Sequence, residues 1–448
     1  MSGVKRILLE CTHTYENDLN TGIQRVVRNI VGQSKQVCKE IGVECQPVIV
    51  KLSRFWAVDK IKNESSLHAK IRAFLKNVYR NIRSLLCAVL PFGSIERLSI
   101  AVFGRLRLTT AVDFVLGILL LPVSLTVYFQ RKVVPQKGDL LLLLDSSWVY
   151  PIWPAVRCAK DEGVKVGLVV HDIFQVTHPH LFTPAVVKRF RLWIDQAIDH
   201  VDFFIAVSQT TRDEVKRYVE SKLPSIGPVL QFESFRLGSV IDNVVSTGRI
   251  RAELKKTFEV DNKQNTYLTI GTIEPRKNHK YLLDAFDEVW QRCPDTKLCI
   301  VGRIGWFCDG LKKRIEFHPG YKKCLFMFND LSDTELDYCY HHATALVFPS
   351  LAEGFGLPLV EALYKGLPVL ASDIPIFREV GKDFCTYFDI SQPVSLAKII
   401  IDIENKGKMP KVRKPEEYQL LDWKDSCREL LSKAVALYEK VPLRSSTQ

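Results

Sequence analysis

The stretch SLAEGFGLPLVEAL, Ser350 to Leu363, sets two glutamates eight residues apart among glycine and proline. Ahead of it ATALVFP is an apolar run of strand length, and behind it LPVLASD is another. The stretch therefore reads as the crossing from a buried parallel strand into a helix. In open parallel sheets ligands bind at the carboxyl ends of strands, where loops enter helices whose free N–H groups attract anions. Pro358 suits the first helical turn, but Leu357 and Gly356 before it offer no capping side chain, which leaves backbone donors for a ligand. Gly354 and Gly356 permit close backbone approach. Glu353 reaches what lies over the loop, and Glu361, one turn into the helix, is placed to accept hydrogen bonds from hydroxyls. A polyol joined to a phosphate satisfies all of these groups. Taken alone, EGFG reads more readily as a glycine turn with two solvated glutamates than as a ligand loop.

The surroundings favour the ligand. From Asn265 the runs TYLTIGTI, TKLCIVGR, CLFMFND, ATALVFPS and LPVLASD follow one another as strands. Between the first two, Leu282, Leu283, Phe286, Val289 and Trp290 fall at helical spacing; further on, Ser332 and Glu335 have the spacing of a capping box. In GTIEPRKNHKYLL, Gly271 to Leu283, a second strand end carries Arg276 and Lys277 into a helix. Cations there oppose the helix dipole unless an anion is present. Earlier in the chain KRILLE, VECQPVIV, LLLLDSSW, VKVGLVVHD and FFIAVS alternate with helical stretches. The pattern predicts an α/β protein of two parallel-sheet domains with helices on both faces: residues 1–240, a polar linker over 241–264, and residues 265–420, with a closing helix over 421–448 expected to pack back on the first domain.

Length and composition agree, since 448 residues at 47% hydrophobic content exceed what one core usually organises. Twelve cysteines without a CxxC pair, and no apolar signal peptide after Met1, predict reduced thiols in a cytoplasmic protein. Of the net charge of +12, Lys51 to Pro135 supplies +10, from fourteen basic against four acidic residues. This segment, about residues 51–135, reads as a basic helical insertion in the first domain. Its apolar run, Ala111 to Phe129, is interrupted by Asp113 and Pro122 and flanked by basic residues at both ends, which disfavours a spanning helix. In HAKIRAFLKNVYRNIRSLLCAVL, Ile71, Phe74, Leu75, Val78, Ile82 and Leu85 share helical spacing beside Lys76, Arg80 and Arg83. An element lying on an anionic membrane surface is expected, with a buried helical subdomain as the alternative. Basic residues interleaved with Leu, Ile and Val argue against nucleic acid.

Together these motifs resemble the family 4 glycosyltransferases, retaining enzymes of the GT-B fold with two Rossmann-like domains facing across a cleft. Glu353 and Glu361 match the family's E-x7-E signature, GTIEPRKN its phosphate loop, and VGRIGW, SDTEL, VFPSLAEGFGLPLVEAL and PVLASDIPIFREVG follow in its order. The match is dense over about residues 265–390 and sparser in TGIQRVVRNI, VVHDIFQVTHP and FIAVSQTTRDEV. The resemblance implies that Lys277 binds a donor diphosphate, that Glu361 holds ribose hydroxyls, and that Glu353 contacts the sugar with the backbone of Gly354, Phe355, Gly356 and Leu357. It further implies that His171, followed by Asp172 and otherwise read as a structural strand-end histidine, faces the donor sugar, and that Gly22 resembles a glycine loop on the other side of the cleft; Arg25 reads either as an acceptor or phosphate contact or as a solvated helix charge. Thr272 stands where the family usually has arginine, so the second phosphate charge falls to Arg276 or Arg303. No metal and no cofactor is expected, because these cations can do the work of a divalent ion. The donor implied is a nucleotide diphosphate sugar, GDP-mannose first and UDP-sugars second. The acceptor is a glycan or lipid-linked oligosaccharide of bacterial surface polysaccharide, reached from the inner face of the cytoplasmic membrane. A sugar-nucleotide epimerase on the same fold, or a sugar-nucleotide sensor, is the alternative.

Overall fold

The structure, a computed structural model, describes residues 3–17, 21–59 with 61, 131–222, 230–239, 249–258, 265–410, 412–414, 417–419 and 421–442. It divides into two compact units, one up to residue 166 and one over residues 167–442. The expectations for the basic, apolar segment, including Lys76, Arg80, Arg83 and the run from Ala111 to Phe129, lie outside the described residues.

In the first unit, β1 (Arg6–Glu10), β2 (Glu44–Lys51), β3 (Arg54–Ala57), β4 (Lys132–Val133) and β5 (Asp139–Leu143) stand in the order β4-β3-β2-β1-β5. β1 is parallel to both β2 and β5, whereas β3 is antiparallel to β2 and β4. Leu52 and Ser53, at φ of 50° and 57°, make the two-residue turn that reverses β2 into β3. The described flanks of the basic segment thus belong to the edge of this sheet. The helix Gly22–Glu40 buries Val26, Val27, Ile30 and Val37. Its N-terminus is closed by Gln24, whose Oε1 accepts from the Thr21 backbone N–H at 3.1 Å and the Thr21 hydroxyl at 2.6 Å.

The second unit begins within β6 (Lys165–Val170), which pairs in parallel with β7 (Phe203–Ala206), itself parallel to β8 (Gln231–Ser234). The C-terminal helix Trp423–Lys440 packs on β7 and β8, where the Ser426 hydroxyl donates to Arg236 O at 2.7 Å. A separate six-stranded sheet contains β9 (Thr266–Ile270), β10 (Lys297–Val301), β11 (Leu325–Phe328), β12 (Ala345–Phe348), β13 (Val369–Ser372) and β14 (Cys385–Phe388), in the order β11-β10-β9-β12-β13-β14. All of its pairs are parallel. Successive strand residues feed two cores: Leu268, Cys299, Leu346 and Phe348 face one, and Tyr267, Leu298, Ile300, Ala345 and Val347 face the other. Burial on both faces is why these strands read as unbroken apolar runs. The order reverses between β9 and β12, and a ligand crevice forms where such neighbouring strands send their chains to opposite faces. No helix among the described residues is long and apolar enough to cross a membrane.

Candidate functional site

β9 leads into Gly271–Lys277 and β12 into Pro349–Gly356, so the two loops that the sequence marks as anion-ready flank the switch point of the six-stranded sheet. Backbone geometry ties them together. Arg276 O accepts from the Leu351 N–H at 2.8 Å, and the Arg276 guanidinium donates to Ala352 O at 2.7 Å. Glu353 then receives two cations: Lys277 Nζ lies 2.5 Å from Oε1 and Arg276 Nη1 2.8 Å from Oε2. Glu274 holds the other side of the guanidinium at 2.8 Å. The Glu353 side chain is 9% exposed and that of Lys277 10%. The undersides are aromatic, with Arg276 over the Phe174 ring at 5.2 Å and Lys277 over Phe348 at 4.9 Å.

The charges follow from this packing. Burial pushes the Glu353 carboxyl up, but Arg276 and Lys277 together overcome it and hold the group down to about 2. Burial lowers the Lys277 ammonium against the opposing pull of Glu353, and burial raises Glu274 and Asp172 in spite of Arg276. His279, whose ring nitrogens both lack a hydrogen-bond partner among the described residues, is kept neutral by burial and by Lys277, its pKa lowered to about 3. The site is a buried charge network in which Glu353 is the shared counter-ion of Lys277 and Arg276.

The glycines have their own reasons. A Cβ on Gly354 would sit 2.0 Å from His171 O, the end of the β6 strand. The Gly354 carbonyl accepts from the Ser208 hydroxyl at 2.8 Å and the Thr211 hydroxyl at 3.2 Å. Gly356 adopts φ of 94° and precedes the helix Leu357–Tyr364, which has no side-chain cap. Glu379 accepts from the backbone N–H groups of Gln209 at 2.7 Å and Thr210 at 2.8 Å, closing the start of the helix Gln209–Lys222.

Of the residues singled out in the sequence, the structure gathers Arg276, Lys277, Glu353, Gly354, Phe355, Gly356 and Leu357 with His171 and Asp172 in one neighbourhood. Glu361 is 1% exposed and accepts from the Tyr340 hydroxyl at 2.7 Å, so its carboxylate is already engaged from beneath. Arg303 is exposed and forms no ion pair among the described residues, which leaves Arg276 as the second cation of the network. Gly22 opens the helix Gly22–Glu40 in the first unit. Sequence reasoning missed Glu274, Tyr340, Ser208 and Glu379; Glu274, two residues before Arg276 in GTIEPRKN, carried a local signal, while the others depend on long-range contacts.

A further polar cluster in the first unit was also missed. Glu10 ends β1 and Asp145 follows β5, at the carboxyl ends of neighbouring parallel strands. Glu10 Oε1 accepts from the Thr12 N–H at 2.6 Å and from the Tyr150 hydroxyl, while Asp145 Oδ2 accepts from the Thr14 N–H at 2.6 Å. Burial, then Asp145, push Glu10 up to about 7.

Comparison with known proteins converges on the same loops. Residues 250–419 match the family model described as glycosyl transferases group 1. This region is a glycosyl transferases group 1 domain. The serotype-specific mannosyltransferase WbdA of Escherichia coli is 31% identical over 305 residues, which are 67% of this chain and 37% of that protein. The O-antigen chain mannosyltransferase RfbU of Salmonella typhimurium is 26% identical over 273 residues, 57% of this chain and 70% of that one. This chain thus spans little more than a third of the WbdA protein it matches. The Anabaena protein HepE, solved in complex with UDP and glucose, superposes with a TM-score of 0.51 at 14% identity, over 97% of this chain and 98% of that one. The fold is GT-B, in agreement with the parallel sheets of the two units.

Proposed function

We propose that the chain is a retaining, metal-independent glycosyltransferase. It moves a hexose, mannose first, from a nucleotide diphosphate sugar to a glycan or lipid-linked acceptor of bacterial surface polysaccharide. The observation that carries this reading is the Lys277–Glu353–Arg276 network at the switch point of the six-stranded sheet. The names of WbdA and RfbU support mannose as the sugar, hence GDP-mannose as donor. Cleavage of the anomeric C–O bond puts negative charge on the leaving diphosphate and positive charge on the anomeric carbon. Lys277, Arg276 and the uncapped N-terminus of Leu357–Tyr364 stabilise the first without a divalent ion. As the diphosphate engages these cations, Glu353 is released from part of its pairing and turns to the sugar hydroxyls. His171 lies at the strand end against Gly354, on the side where the sugar extends. Retention is accounted for by front-face attack, in which the acceptor hydroxyl gives its proton to the leaving phosphate. Work at the inner face of the membrane follows from a lipid-linked acceptor.

The test is a donor panel. With GDP-mannose, UDP-glucose and UDP-galactose offered alongside a membrane lipid extract, labelled mannose passes to an α-linked product, and it does so in excess EDTA. An epimerised nucleotide sugar with no transfer selects the epimerase instead, and donor binding without turnover selects the sensor.

A further inference from the structure

Beside the donor loops a groove of about 470 Å³ runs along the helix Pro184–His200. Pro179, Phe182, Val187 and Leu192 supply its apolar walls, and Lys188 and Arg191 stand on its rim. Leu192 is 55% exposed and extends the apolar lining of the groove to the surface. Lys188 and Arg191 are exposed and form no ion pair among the described residues. The acid at one helical turn from Arg191, Asp195, is used elsewhere: it accepts from the Tyr218 hydroxyl at 3.1 Å and lies 3.8 Å from Lys222 Nζ. Among the described residues, the two cations of the groove therefore have no carboxylate counter-ion.

One wall of the groove packs against the donor loops. Phe182 packs in one cluster with Phe174 and Ala352, joined by Val187, Leu351 and Trp306. Trp306 lies 5.7 Å from the Phe182 ring and donates its indole N–H to Leu181 O at 2.9 Å. Ala352 immediately precedes Glu353, and Phe174 underlies Arg276. The groove and the loop that carries Glu353 therefore share one packed apolar cluster.

We propose that this groove takes a single anionic amphiphile, its phosphate on Lys188 and Arg191 and its apolar chain along Phe182, Val187 and Leu192. It is thus the docking site for the phosphate-bearing, lipid-anchored acceptor of the reaction proposed above. Two cations without an ion pair among the described residues match a phosphate, and an apolar wall ending in the exposed Leu192 matches a hydrocarbon chain. Neither feature suits a neutral glycan.

The test uses binding alone, so that it fails or succeeds independently of donor identity and turnover. Dodecyl phosphate below its micellar concentration is titrated into the full chain by calorimetry, beside inorganic phosphate, dodecyl maltoside and vesicles containing anionic lipid. The expected result is one molecule of dodecyl phosphate per chain, bound at least tenfold more tightly than inorganic phosphate or dodecyl maltoside. Lys188→Ala/Arg191→Ala weakens it at least tenfold, and Leu192→Ser weakens it several-fold; both variants keep the wild-type far-ultraviolet circular dichroism spectrum and melting temperature, which shows that they are folded. Equal binding of dodecyl maltoside, unchanged binding by the double variant, or binding to anionic vesicles but not to monomeric dodecyl phosphate each overturns the proposal, the last in favour of a bilayer surface.

Discussion

Replacing Glu353 with Gln removes the one carboxylate that two buried cations share. The geometry is close to isosteric, so the change is chiefly one of charge: Lys277 at 2.5 Å and Arg276 at 2.8 Å lose their counter-ion. A carboxyl held at about 2 rather than near its ordinary 4.5 contributes about 3 kcal/mol to folding at neutral pH, at roughly 1.4 kcal/mol per pH unit of displacement. That agrees with the 3–5 kcal/mol that breaking a buried pair typically costs. Glu274 still pairs with Arg276, so the lower figure applies. With an unfolding entropy of about 2.1 cal/mol/K per residue over the unit of residues 167–442, the melting temperature falls by roughly 5 °C at pH 7. The sign with pH is fixed. A depressed carboxyl contributes fully above its unfolded value and loses that contribution as pH falls towards 2, so the two proteins converge on acidification. Differential scanning calorimetry from pH 7 to pH 3 reads both effects. The same substitution frees Lys277 and Arg276 for a diphosphate, so GDP binds the variant at least as tightly as the wild type while kcat/KM for transfer drops at least tenfold. A variant that melts within 1 °C of the wild type at pH 7, or a gap that persists unchanged down to pH 3, refutes the reasoning about the network.

Lys277→Ala loses at least tenfold in kcat/KM and weakens GDP binding, since a tenfold loss needs only about 1.4 kcal/mol and a charge-assisted contact exceeds that; Arg276→Ala does likewise and Arg303→Ala does not, as steady-state kinetics will show. Gly354→Ala places a Cβ 2.0 Å from His171 O, which the backbone relieves only by moving the loop. Calorimetry should record a loss of about 1–3 kcal/mol together with loss of transfer. Glu10, raised by burial and Asp145 to about 7, retains its proton in the folded state where the unfolded chain has released it. Its contribution to stability therefore falls as pH rises from about 4.5 to 7, and Glu10→Gln flattens that part of the urea-denaturation profile.

The parallel-sheet architecture was legible because β9, β10, β12 and β13 are buried on both faces, which leaves apolar runs that hydropathy alone detects. The two site loops were legible because each combines a strand end with residues that are costly there without a ligand, Arg276 and Lys277 in one and the uncapped Gly356–Leu357 start in the other. Glu274 as the second partner of Arg276, and the Tyr340 hydroxyl beneath Glu361, were not, since such pairings depend on how side chains pack rather than on spacing. Glu361 shows the limit most plainly: its position was read from the helix turn, but its hydrogen-bond partner, Tyr340, stands 21 residues earlier in the chain. Glu10 and Asp145 are separated by the whole basic segment in sequence, and only the β1–β5 pairing brings their strand ends side by side.

The most direct test is release of nucleoside diphosphate from GDP-mannose and from UDP-glucose, measured in parallel for the wild type and Lys277→Ala with a membrane lipid extract as acceptor and EDTA in excess. GDP is expected from GDP-mannose with the wild type and at no more than a tenth of that rate with the variant, with little UDP from UDP-glucose. No nucleoside diphosphate from either donor, or equal release by the folded Lys277→Ala protein, would contradict a donor diphosphate held at Lys277 and Arg276.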